Sequence, residues 1–391
     1  MLTIKDKKDG GRNMKYNISE ENKQWLEQTF DKIKDKMSAE CDRVGDKIPY
    51  ISEDGVYKED KAETDVIWWT NGFWPGMLWQ MYHVTGEEKY KTAAEGVEAK
   101  LDKAFDKYTG LHHDVGFMWL HSAVANYRIT GNERSMARGM HAAHLLAGRY
   151  NPRGKFIRSW NRDRAGWVIV DSMMNIPLLY WAADTINDPR FIYVATDHAD
   201  TVMKNTVRED GSCNHIIVLD PANGELLETP GGQGYGSGSS WSRGQSWAIY
   251  GFALSYHYTK KLEYLATAKK VAHYFMANVE KTENVALVDF RAPKEPVYWD
   301  SIAGVCAACG MLEIANHVPE LEKDFYIDAA INILKATDEK FCNWNVNYDS
   351  IVAMGSGSYF TEHDRHVPII YADYFFIEAV LRLLDKDILI W

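Results

Sequence analysis

Residues 82–105 read YHVTGEEKYKTAAEGVEAKLDKAF. A short break containing threonine separates an apolar stretch from an alanine-rich segment. The apolar residues of that segment recur at i, i+3, i+4 and i+7, the spacing of a helix with one buried face. Similar breaks occur in YRITGNERS (127–135), AADTINDPRF (182–191) and YHYTKKLEY (256–264). The repeating unit is therefore a helical hairpin, in which an apolar helix is joined to an amphipathic one.

Extended along the chain, this pattern predicts about twelve helices and an all-α fold. The predicted starts lie near residues 19, 72, 87, 115, 132, 172, 189, 242, 262, 300, 322 and 371. Short strands are predicted at 216–220 and 285–290. The threonine breaks are 45, 55 and 74 residues apart, too irregular for a simple solenoid.

Six such hairpins can close into a ring with the apolar helices inside, which is an (α/α)6 barrel. A HEAT-like solenoid is the alternative, although its repeats are shorter and more even. We expect a single domain over residues 16–391, preceded by a disordered segment at 1–15.

The charge balance excludes some classes of partner. The 391 residues include 55 acidic and 44 basic side chains, for a net charge of −11. Because no stretch is rich in lysine and arginine, nucleic acid is not expected as a partner. No window approaches 18 consecutive apolar residues, and the first residues lack the apolar core of a signal peptide, so we expect no membrane span and a cytoplasmic location.

The cysteines do not indicate a metal site. There are five, and Cys306 and Cys309 have CxxC spacing inside the predicted helix SIAGVCAACGMLEIA. No second CxxC or histidine pair completes a zinc site, so buried thiols are expected. We expect neither a metal nor another cofactor.

Unusual polar and aromatic residues cluster just before the apolar helices. The clusters are WWTNGFWPG (68–76), HHDVGF (112–117), WVIVDSMMN (167–175), SSWSRGQSW (239–247) and VYWD (297–300). If the inner helices of the ring are parallel, all five clusters lie at one mouth. Helix N-termini there favour an anionic ligand or a developing negative charge.

Each candidate residue also has a purely structural interpretation. Asp114 and Asp171 can be helix N-caps, and Arg243 can pair with a structural carboxylate. His112 and His113 can be supporting residues, because further metal ligands at a fixed spacing are not apparent. The tryptophans can belong to the core. Spacing alone does not identify a reaction.

Four motifs together resemble glycoside hydrolase family 88, the unsaturated glucuronyl hydrolases. They are HHDVGF, VDSMMNIPLLYWA (170–182), HIIVLDPANG (215–224) and WSRGQSWAIYGFAL (241–254). The resemblance extends from about residue 66 to the C-terminal helix. It implies an (α/α)6 barrel that acts without a metal on products of polysaccharide lyases. In that reaction a proton is delivered to C4 of a 4,5-unsaturated uronic acid and water adds at C5, after which the hemiketal opens and frees the remaining sugar.

The resemblance also implies roles for individual residues. Asp171 matches the general acid/base, and Asp114 matches the second aspartate, which holds sugar hydroxyls and water. Two neighbouring carboxylates are expected to raise one pKa. The positions implied for substrate binding are Trp69, His113, Trp160, His215, Gln233, Trp241, Arg243 and Trp247. Arg243 is the candidate for the substrate carboxylate, and His113 is expected to support Asp114.

The expected substrates are unsaturated glycosaminoglycan disaccharides, and the expected protein is a monomer or homodimer. Some streptococcal family members carry a Ser-x-x-Ser-x-Lys motif in the C-terminal loop, but AMGSGSYFTEHDRHVP (353–368) has no lysine, so preference for 6-sulfated sugars is not expected from it. The alternatives are an unsaturated rhamnogalacturonyl hydrolase acting on pectin fragments, an inverting glycosidase attacking C1, and a non-catalytic sugar-binding barrel.

Overall fold

The computed structural model describes residues 16–391, and within that range it contains twelve long helices. In chain order they are α1 (Glu20–Val44), α2 (Phe73–Thr85), α3 (Glu88–Asp106), α4 (Val115–Trp119, then a π-helical turn Leu120–Val124, then Ala125–Thr130), α5 (Glu133–Ala147), α6 (Pro177–Ile186), α7 (Arg190–Thr206), α8 (Ser242–Thr259), α9 (Leu262–Val279), α10 (Ser301–Ala315), α11 (Glu320–Phe341) and α12 (Ile370–Leu383). The predicted starts agree to within two residues except at α6, where a 3-10 turn, Val170–Met174, precedes the α-helix. The disorder expected for residues 1–15 lies outside the described residues.

The even-numbered helices form an inner ring. Helix α2 packs against α4 and α12, the Val170–Met174 turn packs against α8, and α10 packs against both α8 and α12. The first inner helix thus contacts the last, which confirms the (α/α)6 barrel and shows that the open solenoid was wrong. Every residue of α10 and α12 is buried, whereas α3 buries only one face. Burial on all sides is what an apolar helix requires.

The threonine breaks have a common structural cause. Thr85, Thr130, Thr185 and Thr259 each donate a hydrogen bond from Oγ1 to the carbonyl oxygen four residues earlier, at 2.7, 2.9, 2.7 and 2.6 Å. A left-handed residue follows in each case. Gly86, Gly131 and Lys260 come directly after the threonine, with φ of 72°, 73° and 57°, and Asn187 lies two residues after Thr185, with φ of 53°. The threonine closes the last turn, and the left-handed residue redirects the chain into the outer helix.

In the described part of the chain, seven short strands lie in the connections: β1 (Tyr150–Asn151), β2 (Phe156–Ile157), β3 (Trp167–Ile169), β4 (Ile216–Leu219), β5 (Leu226–Glu228), β6 (Gly355–Ser356) and β7 (Arg365–Val367). Strands β3, β4 and β5 form an antiparallel sheet. The strand predicted at 216–220 is confirmed as β4. The strand predicted at 285–290 is wrong: this segment forms single bridges, from Leu287 to Trp299 and from Asp289 to Trp241, so it pairs with two different neighbours and never establishes a ladder.

The cysteines are packing residues. All five are free, and Cys306 and Cys309 have no exposed surface inside α10. Burial raises the pKa of both thiols well above the usual value, which makes the thiolate form unfavourable. Within residues 16–391 no helix is both long enough and apolar enough to cross a membrane.

Candidate active site

Asp114 and Asp171 lie at the same end of the ring, ahead of α4 and α6. Asp114 occupies the N-cap position of α4 but its side chain makes no capping hydrogen bond, and Asp171 lies in the 3-10 turn without one either. The interpretation of these carboxylates as ordinary caps is therefore wrong. Both residues are buried, with 8% and 9% of their surface exposed, so each carboxyl group is largely shielded from water.

Asn175 links the two aspartates. Its Nδ2 donates to Asp114 Oδ1 at 2.9 Å and to the Asp171 carbonyl oxygen at 3.2 Å, while its Oδ1 accepts from the Phe117 backbone N–H at 2.8 Å. This last bond caps the first turn of α4 in place of Asp114. The close approach requires Gly116, because a Cβ there would lie 2.5 Å from the Asn175 Cα. Asn175 lies within the motif VDSMMNIPLLYWA, but nothing in that motif predicts that it links the two aspartates.

Two histidines surround the Asp114 carboxylate. His112 Nδ1 lies 3.1 Å from Asp114 Oδ2, and His113 Nε2 lies 3.4 Å from Asp114 Oδ1. Burial by itself would raise the Asp114 pKa, but His113, His112 and the Asn175 amide together hold this pKa below its ordinary value. Burial also lowers the pKa of His113 to about 4, so that ring is neutral at pH 7. The predicted raised pKa is therefore not found at Asp114.

His215 faces the other aspartate. Its Nδ1 accepts a hydrogen bond from the Gln233 backbone N–H at 3.0 Å, so the proton of the neutral ring is on Nε2. That nitrogen lies 3.6 Å from Asp171 Oδ1. The ring packs on Trp241 with centroids 4.3 Å apart. Gly232 is necessary beside it, because its φ is +61° and a Cβ would lie 2.1 Å from His215 Nδ1.

Arg243 is committed to groups of the protein. Its Nη2 donates to the Gly357 carbonyl oxygen at 2.7 Å, and its Nη1 lies 3.3 Å from Asp300 Oδ2. The guanidinium also lies over Trp241 and Tyr371, at 4.8 and 5.4 Å from the ring centroids. Burial opposes its charge, but Asp300, Tyr371, Asp171 and Tyr50 together outweigh burial and raise the Arg243 pKa. The structural-carboxylate interpretation of Arg243 is thus observed.

The Gly-rich loop and the C-terminal loop meet at Gln233. Its Nε2 donates to the Gly357 carbonyl oxygen at 2.6 Å, and its own carbonyl oxygen accepts from the Tyr359 N–H at 2.9 Å. The Gly357 carbonyl oxygen therefore accepts hydrogen bonds from both the Gln233 and the Arg243 side chains. The Gln233 side chain connects the two loops at the place where its backbone orients His215.

The four predicted stacking tryptophans occupy different environments. Trp69, in a 3-10 turn before α2, and Trp160 are both partly exposed. Trp241 is 2% exposed and covers His215 and Arg243. Trp247 has no exposed surface and packs against Phe117 and aromatic residues of α12. The structure thus places Trp247 in the core of the barrel, below the mouth.

Arg149 is a further residue of the site that sequence analysis missed. It donates five hydrogen bonds, to the carbonyl oxygens of Leu111, Arg158, Ser159 and Trp160 and to Asn161 Oδ1, at distances from 2.8 to 3.2 Å. The segment that carries Trp160 is thereby fixed to the segment that leads into His112 and Asp114. A lone arginine at the end of an amphipathic helix gives no sequence signal for this role.

Two groups of side chains in residues 16–391 bring three potential metal-ligand atoms within 4.8 Å of one another: His112 with His113 and Asp114, and His257 with Glu313 and His317. In the second group Glu313 Oε1 accepts from both histidines, at 2.9 and 2.8 Å, and Glu313 is also paired with Arg382. In the first group all three ligands come from consecutive residues on one side of the mouth. The expectation of a metal-free reaction stays a prediction.

Two buried carboxylates in different hydrogen-bonding environments at the mouth of an (α/α)6 barrel define a glycoside hydrolase type of site. Comparison with known proteins agrees. The Glycosyl Hydrolase Family 88 model matches residues 40–281. The unsaturated glucuronyl hydrolase of Bacillus sp. (strain GL1) is 35% identical over 353 residues, covering 87% of this chain and 92% of the relative.

Solved structures give the same result. An aspartate-to-asparagine variant with dGlcA-Glc-Rha-Glc superposes with a TM-score of 0.87 at 33% identity, covering 92% of this chain and 96% of the other. A Streptococcus agalactiae unsaturated glucuronyl hydrolase variant complexed with dGlcA-GalNAc6S gives a TM-score of 0.80 at 27% identity, covering 97% and 99%. The chain belongs to glycosyl hydrolase family 88. The resemblance stated from the motifs, and the enzyme class that it implied, are confirmed.

Proposed function

We propose that this enzyme releases 4,5-unsaturated uronic acid from the non-reducing end of lyase-generated glycosaminoglycan disaccharides by hydrating the C4=C5 bond. The observation that carries the assignment of roles is the contrast between the two aspartates. Asp114 is held by His112, His113 and Asn175. Asp171 Oδ1 is buried and makes no hydrogen bond to any of the described residues. A carboxyl oxygen without a protein partner is available for proton transfer.

Asp171 is accordingly the general acid/base. Its carboxyl group donates a proton to C4, and the resulting carboxylate accepts a proton from the water molecule whose oxygen bonds to C5. The His215 Nε2–H, 3.6 Å from Asp171 Oδ1, is placed to stabilise the carboxylate formed after proton donation. The hemiketal at C5 then opens, and the remaining sugar leaves with its glycosidic oxygen.

Asp114 has a different role. Because its neighbours hold its pKa below the ordinary value, it is a carboxylate at neutral pH and is not the proton donor in this proposal. It accepts hydrogen bonds from sugar hydroxyls and from the attacking water. His113, which is neutral and fully buried, supports the Asp114 carboxylate from the interior of the protein. Trp69 and Trp160, which retain exposed surface, are the stacking residues, and Trp241 acts by holding His215.

Arg243 supports the site through the protein rather than by direct contact with the substrate. The Arg243 guanidinium donates to the Gly357 carbonyl oxygen and pairs with Asp300, and the Gln233 side chain donates to the same Gly357 oxygen. Arg243 and Gln233 therefore fix the C-terminal loop beside the cleft. The relatives with dGlcA-Glc-Rha-Glc and dGlcA-GalNAc6S support an unsaturated uronate as the reacting sugar. We further propose a single domain over residues 16–391, a cytoplasmic location and a monomer or homodimer.

The experiment that tests this function follows the ultraviolet absorbance of the C4=C5 bond. Unsaturated chondroitin, hyaluronan and rhamnogalacturonan disaccharides are supplied separately, with EDTA present throughout. Loss of absorbance with the glycosaminoglycan substrates is the expected result. Loss only with the pectin-derived substrate would favour the rhamnogalacturonyl alternative. Release of sugar with the absorbance unchanged would indicate attack at C1, and binding without release would indicate a non-catalytic barrel.

A further inference from the structure

A cavity of about 900 Å³ lies on the outer side of the wall that carries His112. It is enclosed by the α3–α4 connection, the end of α5 and the segment that contains β1 and β2. Its charged lining consists of Arg149, Arg153, Arg158 and Arg162, with His112 and His144 beside them, and no Asp or Glu among residues 16–391 lines it. A chain with a net charge of −11 thus concentrates four guanidinium groups around one cavity.

These guanidinium groups are not neutralised by the protein. Across residues 16–391, none of the four arginines forms an ion pair with a carboxylate, whereas Arg134 and Arg190 on the surface pair with Asp102 and Asp188. Arg149 donates its five side-chain hydrogen bonds to uncharged oxygen atoms. Burial and the nearby Arg158 together lower the pKa of Arg149 to about 10, and Asp114 offsets this only in part. Like charges held together with no carboxylate in an ion pair with them create a strong local positive potential.

The chemistry of the lining selects an oxyanion. Guanidinium groups form planar, charge-assisted hydrogen bonds with sulfate, phosphate and carboxylate oxygens. Arg153, Arg158 and Arg162 donate no side-chain hydrogen bond that the structure records within residues 16–391, so these donors are available. Tyr108, Leu111 and Pro152 add apolar surface to the same cavity, as a sugar ring carrying such an anion requires.

We propose that this cavity is a second binding site, separate from the catalytic cleft, for an oxyanion supplied either as inorganic sulfate or phosphate or as the acidic group of a saccharide. Its occupant would contact His112, whose Nδ1 lies 3.1 Å from Asp114 Oδ2. The proposal is independent of the reaction assigned to the cleft, since it concerns binding and not turnover.

The test compares two variants with the same change in charge. Arg153→Ala/Arg158→Ala removes two arginines of the cavity, and Arg134→Ala/Arg190→Ala removes two exposed arginines elsewhere. Calorimetric titration with sodium sulfate and with phosphate, at constant ionic strength, measures the affinity of each protein. We expect the cavity variant to bind about tenfold more weakly or worse, because it loses charge-assisted bonds, and the control to bind like the unmodified enzyme.

A third titration, with sulfated and unsulfated unsaturated disaccharides in an Asp171→Asn background, identifies the source of the oxyanion. Two sites per chain for the sulfated sugar, reduced to one by Arg153→Ala/Arg158→Ala, would assign the cavity to the saccharide. Binding of the inorganic ions alone would assign it to the free anion. No binding, or equal weakening in cavity and control variants, would overturn the proposal. Turnover assayed separately shows whether the cleft works, so the two assignments fail independently.

Discussion

The Asn175 side chain bridges Asp114 and Asp171, with its Nδ2 2.9 Å from the Asp114 carboxylate and 3.2 Å from the Asp171 carbonyl oxygen. Since its Oδ1 also caps Phe117, one buried amide sets the position of the first turn of α4 relative to the Val170–Met174 turn. The separation of the two aspartates therefore depends on a residue with no chemical role in the reaction.

Replacing Asn175 with alanine should reduce kcat/KM by about 10²-fold, because small displacements of catalytic groups have effects of that size. The matched control is Asn126→Ala, which removes another buried amide, bonded to Glu98. Both variants should lose about 1–3 kcal/mol of unfolding free energy. Steady-state kinetics and chemical denaturation measure the two effects. Equal activity losses in both variants would show that Asn175 is merely structural.

Gly232 should be essential for the orientation of His215. In Gly232→Ala the new methyl group would meet His215 Nδ1, at 2.1 Å in the present geometry, so the ring must turn away from Asp171 and kcat should fall. Gly238→Ala is the control, because Gly238 also has positive φ, +77°, but nothing lies within 4 Å of its Cβ position. Both replacements carry the same backbone strain of about 1–2 kcal/mol. Comparable kcat values in the two variants would refute the role of His215.

Arg149→Met should weaken the connection between the Trp160 segment and the segment before Asp114. We expect KM to rise and kcat to fall, with the fold intact by circular dichroism, because five hydrogen bonds to backbone and Asn161 are lost together. Arg149→Lys should not restore activity, since one ammonium group cannot reach the same acceptors. The control is Arg128→Met. Arg128 donates hydrogen bonds to the carbonyl oxygens of Leu389 and Trp391 at the other end of the barrel, so its replacement should leave KM unchanged.

The stability of the enzyme should fall in mild acid because of buried histidines. Burial lowers the pKa of His121 to about 3, well below the value of about 6.5 in an unfolded chain. The folded state therefore binds fewer protons, so the contribution of this residue is complete above pH 6.5 and declines toward pH 3 by about 1.4 kcal/mol per pH unit. Denaturation between pH 7 and 4 should show a smaller slope for His121→Gln than for His141→Gln, in which an exposed ring is replaced. Identical slopes would contradict the prediction.

The architecture was accessible from the sequence because its signals are local. Four of the six inner helices end with a threonine that bonds the carbonyl oxygen four residues earlier, as at Thr85 and Thr130, so the break recurs along the sequence. The inner helices are buried on all sides and are therefore apolar on every face, whereas the outer helices are apolar on one face only. Composition alone therefore distinguishes the two kinds of helix. The segment 285–290 has strand-like composition, but its partners are set by tertiary structure, which composition does not reveal.

The site was only partly accessible. Motifs indicated Asp114 and Asp171 as candidates, but the amide that joins them, the arginine that fixes their surroundings and the pairing of Arg243 with Asp300 all depend on contacts between distant segments. The family resemblance implied a substrate-stacking position for Trp247. Helical geometry turns it instead into the core, where it has no exposed surface.

The central claim is that Asp171 delivers the proton to C4. The most direct test is the rate of C4=C5 absorbance loss in Asp171→Asn, with the unmodified enzyme measured beside it on the same unsaturated disaccharide. Asparagine keeps the shape of the side chain but cannot exchange a proton. A fall of about 10²- to 10⁴-fold, with substrate still bound and the fold intact, is the predicted result. A rate within a few-fold of the unmodified enzyme would contradict the claim and assign the proton to another group.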